Sequence, residues 1–178
     1  DYIVAEDRRL VELVLEGDDR AFEYLFNRYR DAIHRLFVQR LGGVNDADDL
    51  LQETFIKAYD HIDELLSGKI ESTKAWLMRI AVNTCKDTLR SSWMRHIDNR
   101  QEIEALPLSI ASCAEERLAL TQAIMALAPK HREIVLLYYY QDMSLRACAQ
   151  VLGISAPTAT RRLQQAQKKL RIQLEERG

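Results

Sequence analysis

Apolar residues return every three or four positions along nearly the whole chain, the period of amphipathic helices rather than strands. The clearest run is Phe22, Leu25, Tyr29, Ile33 and Leu36, which predicts a helix from about Arg20 to Leu41, ended by Gly42-Gly43. A shorter amphipathic stretch, Asp7 to Leu15, precedes it and is stopped by Gly17-Asp18-Asp19. Beyond the glycine pair, Asn45 stands where it can cap a helix whose first turn holds Asp46, Asp48 and Asp49, and the helix dipole favours anions there. That helix divides by face: Leu51, Phe55, Ala58 and Ile62 form an apolar stripe, and Asp46, Asp49, Glu53, Lys57 and Asp60 form a polar one. Ser67-Gly68 and the Lys69–Thr73 stretch read as a loop. The helix that follows turns Leu77, Ala81, Thr84 or Cys85, and Thr88 or Leu89 inward.

From His96 to Ala111 the period is lost and polarity is mixed around Pro107, so this segment reads as a linker. Ser112-Cys113-Ala114-Glu115 matches a capping box and starts a new helix that ends near Ala128-Pro129. Another helix is expected from about Lys130 to Tyr140, then a turn at Gln141-Asp142-Met143. Ser144 can cap a short helix over Leu145–Leu152, Gly153 breaks it, and Ser155 can cap a second helix with Pro157 in its first turn. Ala149, four residues before Gly153, lets two helices cross closely, and the pattern is helix–short turn–helix. The expected fold is all-α: two small helical domains, 1–95 and 112–178, joined by a flexible linker, 96–111, with a helix-turn-helix in the second.

Composition adds little to a pattern already this clear. Hydrophobic residues are 47% and charged residues 29% of 178, ordinary for a globular protein. No window approaches the ~18 continuous apolar residues of a membrane span, and no signal peptide precedes the first charges, so the expected location is cytoplasmic. Cys85, Cys113 and Cys148 are far apart, without metal or redox spacing, and read as reduced thiols. His34, His61, His96 and His131 are scattered singly and read as surface or capping residues. Without a Gly-rich phosphate loop, nucleophile elbow or His/carboxylate cluster, the expectation is a protein that is not an enzyme and takes no cofactor, metal or small-molecule substrate.

Charge changes the picture more. Residues 1–70 hold 9 Lys and Arg against 16 Asp and Glu, residues 71–97 hold 5 against 2, residues 98–128 hold 2 against 5, and residues 129–178 hold 9 against 4. Two basic islands therefore stand in a chain of net charge −2, which suits a polyanion touched at two places. Between Thr73 and Arg95 of the first island, Lys74, Arg79, Lys86, Arg90 and Arg95 oppose Asp87 alone, with Trp76, Trp93 and Asn83 among them. In the second, Ala159, Leu163, Ala166 and Leu170 face inward, and Thr158, Arg161, Arg162, Gln165, Lys168 and Lys169 face out. Such a face fits the DNA major groove, where Arg and Lys meet phosphates or guanine and Gln can read adenine.

These residues together resemble the bacterial extracytoplasmic-function sigma factors, small promoter-recognition subunits of RNA polymerase. Asp18-Asp19-Arg20-Ala21-Phe22 through Tyr29 looks like the family's first helix, and Asp46-Ala47-Asp48-Asp49-Leu50-Leu51-Gln52-Glu53-Thr54-Phe55 is similar to its acidic signature. Trp76-Leu77-Met78-Arg79-Ile80-Ala81-Val82-Asn83 matches its WLxRIAxN stretch, and Leu127-Ala128-Pro129-Lys130-His131-Arg132-Glu133 fits the LPxxxR opening of its C-terminal domain. The resemblance implies that Trp76, Arg79, Asn83, Lys86 and Arg90 meet the −10 element, with Asn83 where the family reads an extruded base. It implies that Thr158, Arg161, Arg162, Gln165 and Lys168 meet the −35 element. It also implies that Asp46, Asp49, Leu50, Gln52 and Glu53 bind the clamp helices of the largest subunit of core RNA polymerase. An anti-sigma factor, in some members held at the membrane, is the expected regulator. Two stretches depart from the family: Ala147-Cys148-Ala149 stands where EIA is usual, and Ala156 to Arg161 where GTVKSR is usual, so the −35 preference is expected to differ. The alternative is a dimeric helix-turn-helix regulator with an N-terminal effector or dimerisation module. Such a module has no need of Trp76–Asn83 beside an acidic helix.

Overall fold

The computed structural model describes residues 1–41, 46–67, 72–96 and 114–177, with the side chains of 41, 88–96, 114 and 177 left aside. The described residues form α-helices and turns without strands. The chain divides into two compact units, Asp1–Phe37 with Asn45–Met94, and Val38–Val44 with Arg95–Gly178. The expected linker, the Ser112-Cys113 capping box, Gly42-Gly43, Asn45 and Gly68–Glu71 lie outside the described residues, wholly or in large part.

The first unit holds α1 (Asp7–Leu15), most of α2 (Asp19–Leu41), α3 (Ala47–Asp60), a 3-10 turn (Ile62–Leu66) and most of α4 (Thr73–His96). Gly17 separates α1 from α2 with φ +104°, a left-handed backbone that glycine adopts without a Cβ clash. The apolar stripes foreseen on α2 and α3 meet here. The Phe22 ring lies 4.7 Å from Phe55 and 5.3 Å from Tyr59, and Phe26 lies 5.1 Å from Phe55. These are edge-on pairs, the arrangement aromatic quadrupoles prefer. Arg28 fastens the N-terminal segment, bonding Asp7 at 2.8 Å and the carbonyls of Tyr2 and Ala5 at 3.0 and 2.5 Å. Tyr29 donates to the same Asp7 carboxylate.

The second unit holds α5 (Ala114–Ala126), α6 (Pro129–Val135), a π-helical turn (Leu136–Tyr140), α7 (Leu145–Leu152) and α8 (Ala156–Arg177). α8 packs against α5, α6 and α7. The helix expected over Lys130–Tyr140 is therefore two pieces. The Gln141 N–H reaches the Leu136 carbonyl at 3.0 Å, five residues back, and the extra residue in that turn is a local insertion in the helix. Leu136 and Leu137 are both fully buried there. The Ser144 and Ser155 caps form as the sequence predicts. Ser144 Oγ accepts from Ala147 N at 3.0 Å, and Ser155 Oγ accepts from Thr158 N at 3.3 Å. Gly153 closes α7 with φ +67°.

This unit also carries buried polar groups. Arg40 donates from Nε and Nη2 to Glu133 Oε1 at 3.1 and 2.9 Å, with side chains 8% and 5% exposed. Arg132 donates to the carbonyls of Met125 and Leu127 at 2.5 and 3.2 Å, satisfying acceptors that the end of α5 leaves open. Cys148 is buried and free, and burial pushes its thiol up to about 12. Cys85 is likewise a buried thiol outside any disulfide, whereas Cys113 lies outside the described residues.

Candidate nucleic-acid interfaces

α4 is capped by Ser72, whose hydroxyl accepts from Ala75 N at 3.1 Å. Its first turns are buried on several sides, with Ala75, Leu77, Met78, Ala81, Val82 and Cys85 in the core. Beside the exposed Asp87, what projects outward is a narrow stripe: Arg79 and Asn83 are exposed and Lys86 is half-buried. Spacings of four and three put these three on one side of the helix. Arg90 continues the spacing, but its side chain is outside those described, as are those of Trp93 and Arg95. Trp76, which the resemblance implies at the −10 element, lies in the core. It is 4% exposed, and its indole N–H donates to Glu64 Oε2 at 3.1 Å. The ring packs α4 onto the 3-10 turn and has no open face for a base. A buried indole needs an acceptor, and Glu64, twelve residues earlier, was invisible to helical spacing.

The acidic helix α3 is divided the same way. Asp49, Gln52 and Glu53 are exposed and Asp46 is half-buried, but Leu50 is 2% exposed and belongs to the core. Glu53 is already engaged with Lys57 at 3.2 Å, and Lys57 also approaches Asp87 of α4 at 3.9 Å. Between α2 and α3 runs an open groove of about 800 Å³, lined by Glu23, Asn27, Arg30, Asp48, Gln52 and Ile56 among others. Only Gln52 of these was picked from sequence. Asp48 and the exposed Ile56 were legible as polar and apolar positions of α3, but the α2 side of the groove needed the packing.

On α8, Arg161, Gln165 and Lys168 are exposed, and Thr158 and Arg162 are half-buried. Ala159, Leu163 and Ala166 are buried beneath them, so the two faces fall as the spacing predicts. The Thr158 hydroxyl meets Ser155 Oγ at 2.8 Å and Arg161 Nη2 at 3.4 Å. The sequence missed His131, read there as a surface or capping residue. On α6 it is 2% exposed, with Nε2 at 3.2 Å from Gln165 Oε1 and Nδ1 at 3.3 Å from Lys169 Nζ. Burial pushes its pKa below the ordinary 6.5. The Gln165 bond opposes that shift, and the charges of Lys169, Lys130 and Arg162 add to it.

An exposed cationic stripe in each unit, an acidic helix in the first and a capped helix-turn-helix in the second define a promoter-recognition class. The comparisons agree. The family model for sigma-70 region 2 matches residues 25–95, and that for sigma-70 region 4 matches residues 117–170. The chain belongs to the extracytoplasmic-function (ECF) RNA polymerase sigma factors. It is 30% identical to the ECF RNA polymerase sigma factor SigW of Bacillus subtilis (strain 168) over 181 residues, covering 94% of this chain and 96% of SigW. It is 31% identical to the RNA polymerase sigma factor NccH of Alcaligenes xylosoxydans xylosoxydans over 175 residues, 92% of each chain. Among solved structures it is similar to CnrH, determined in complex with the cytosolic domain of CnrY, with TM-score 0.71, 25% identity and coverage of 97% and 99%. The dimeric-regulator alternative is not favoured. No helix among the described residues is long and apolar enough to cross a membrane.

Proposed function

We propose that this sigma factor divides its work among three surfaces. The exposed side of α3, with Asp46, Asp49, Gln52 and Glu53, and the adjoining α2–α3 groove meet the clamp helices of core RNA polymerase. Arg79, Asn83, Lys86 and Arg90 on α4 face the opened −10 element. Thr158, Arg161, Arg162, Gln165 and Lys168 on α8 face the −35 element. Trp76 and Leu50 act from the core, holding α4 and α3 in register. The observation that carries this reading is the exposure of Arg79 and Asn83 on a helix otherwise buried around them. An Asn inside a helix is disfavoured by propensity, and exposed on a cationic stripe it is suited to hydrogen-bond an unstacked base. The complex of CnrH with the cytosolic domain of CnrY supports an anti-sigma partner for this chain as well.

The test is transcription by purified core RNA polymerase and this protein from a promoter library. Specific start sites that depend on the protein are expected, and Asn83→Ala should reduce promoter opening while core binding stays intact. Undiminished opening in that variant removes the assigned role of Asn83.

A further inference from the structure

Gln165 is not free to turn. A lysine ammonium has only donors, so Lys169 Nζ at 3.3 Å must meet a bare lone pair on His131 Nδ1. A neutral imidazole with Nδ1 bare carries its proton on Nε2. That proton points at the Gln165 amide 3.2 Å away, which must therefore offer its oxygen. The amide NH2 then turns away from the ring. The contacts link a charged α8 side chain, through a buried α6 ring, to an α8 side chain four residues earlier.

We infer that His131 is a positioning residue for promoter recognition: held as the Nε2–H tautomer by Lys169, it presents Gln165 to the −35 element with its NH2 end outward. The inference rests on the proposed placement of Gln165 at the −35 element. Its consequence is a change of preferred base. The paired amide contact to adenine needs both the oxygen and the NH2 of Gln. With one lone pair of that oxygen taken by the ring and the NH2 turned outward, Gln165 presents its donors first to an acceptor edge, such as guanine O6 and N7 or thymine O4. The arrangement also requires a neutral ring. A second ring proton would place N–H against the Lys169 ammonium, and the other cations bearing on the ring are Arg162 from α8 and Lys130 from α6 itself.

The experiment uses the full chain with core RNA polymerase on promoters randomised through the −35 element. Gln165→Ala should relax base preference at one position, on the order of tenfold for a side chain that reads a base edge. His131→Leu should relax the same position and leave the others, set by Arg161 and its neighbours, in place. Relaxation in Gln165→Ala without any in His131→Leu overturns the inference while the −35 reading of Gln165 stands. No relaxed position in either variant removes Gln165 from the reading face, and the inference falls with it. A second measurement does not depend on how the variants fold. Ring ¹⁵N shifts of His131 in the unaltered protein at neutral pH should show a protonated Nε2 and a bare Nδ1. The opposite tautomer, or a charged ring, overturns the inference directly.

Discussion

Phe22 and Glu133 mark the contrast between the two units. Around Phe22 the interior is built from rings, with Phe26, Phe55 and Tyr59 at centroid distances of 6.1, 4.7 and 5.3 Å. Around Glu133 it is built from ions and dipoles: Arg40 on the carboxylate, Arg132 on backbone carbonyls, His131 between Gln165 and Lys169. An apolar core accepts many arrangements of similar volume. A polar interior accepts few, because each donor must find its acceptor in low dielectric. The unit proposed to read the −35 sequence is the one that buries an ion pair and ties an amide to a buried ring. On the α4 stripe of the other unit Arg79 and Asn83 are exposed, so the cost of ordering their side chains falls on contact with the proposed −10 element.

The largest effects should come from the two centres themselves. Phe22→Ala should lower stability by about 3–5 kcal/mol, measured by urea unfolding, because it empties the middle of the ring cluster. Glu133→Ala should cost a similar amount, about 3–5 kcal/mol, by leaving the Arg40 guanidinium buried without its counter-charge. The distinction lies in rescue. Replacing both partners, Arg40→Met with Glu133→Leu, should recover most of the loss, since a buried ion pair and a well-packed apolar pair are often close in stability. A double variant as unstable as Glu133→Ala would show that the polar interior is not what that residue supports. Gly153→Ala comes next, at about 1–2 kcal/mol. No atom lies within 4 Å of the added Cβ, so the cost is the left-handed backbone alone, and a thermal melt should detect it.

Acid should produce the smallest effect, through His131 of the second unit. His131 titrates below its ordinary 6.5 in the folded protein. Above pH 6.5 it is neutral folded or unfolded and stability is unaffected. Below that pH the unfolded chain takes up the proton first, so stability falls as pH drops toward the depressed folded value. Unfolding midpoints followed from about pH 7.5 to 5.5 should show this component in the unaltered protein and lose it in His131→Leu.

The helices were largely legible from spacing because each rule involved is local. Ser144, Gly153 and Ser155 delimit α7 and α8 within the same few residues that signal them. The inward face of α8 follows from Ala159, Leu163 and Ala166 in the same way. What could not be read was any fact that joins distant residues. The partners of Trp76 and His131 are twelve and thirty-four residues away, and helical periodicity is silent at that range. Leu50 reads as a polymerase contact only through the resemblance of the acidic motif around it, and its apolar side chain suits the core position it occupies. The π-helical turn at Leu136–Tyr140 carries no glycine or proline to announce it.

Arg132 offers a last consequence, for sequence comparison and protein engineering. Its guanidinium spans the Met125 and Leu127 carbonyls and reaches that of Arg40 at 3.3 Å. A lysine there would preserve net charge, isoelectric point and helix propensity, and most similarity scores would rank the exchange as mild. Yet one ammonium on a flexible stem cannot replace a planar fork that addresses several acceptors at once. A homologue search tolerant of Arg-to-Lys exchange at this position would admit chains in which the end of α5 has lost its clasp.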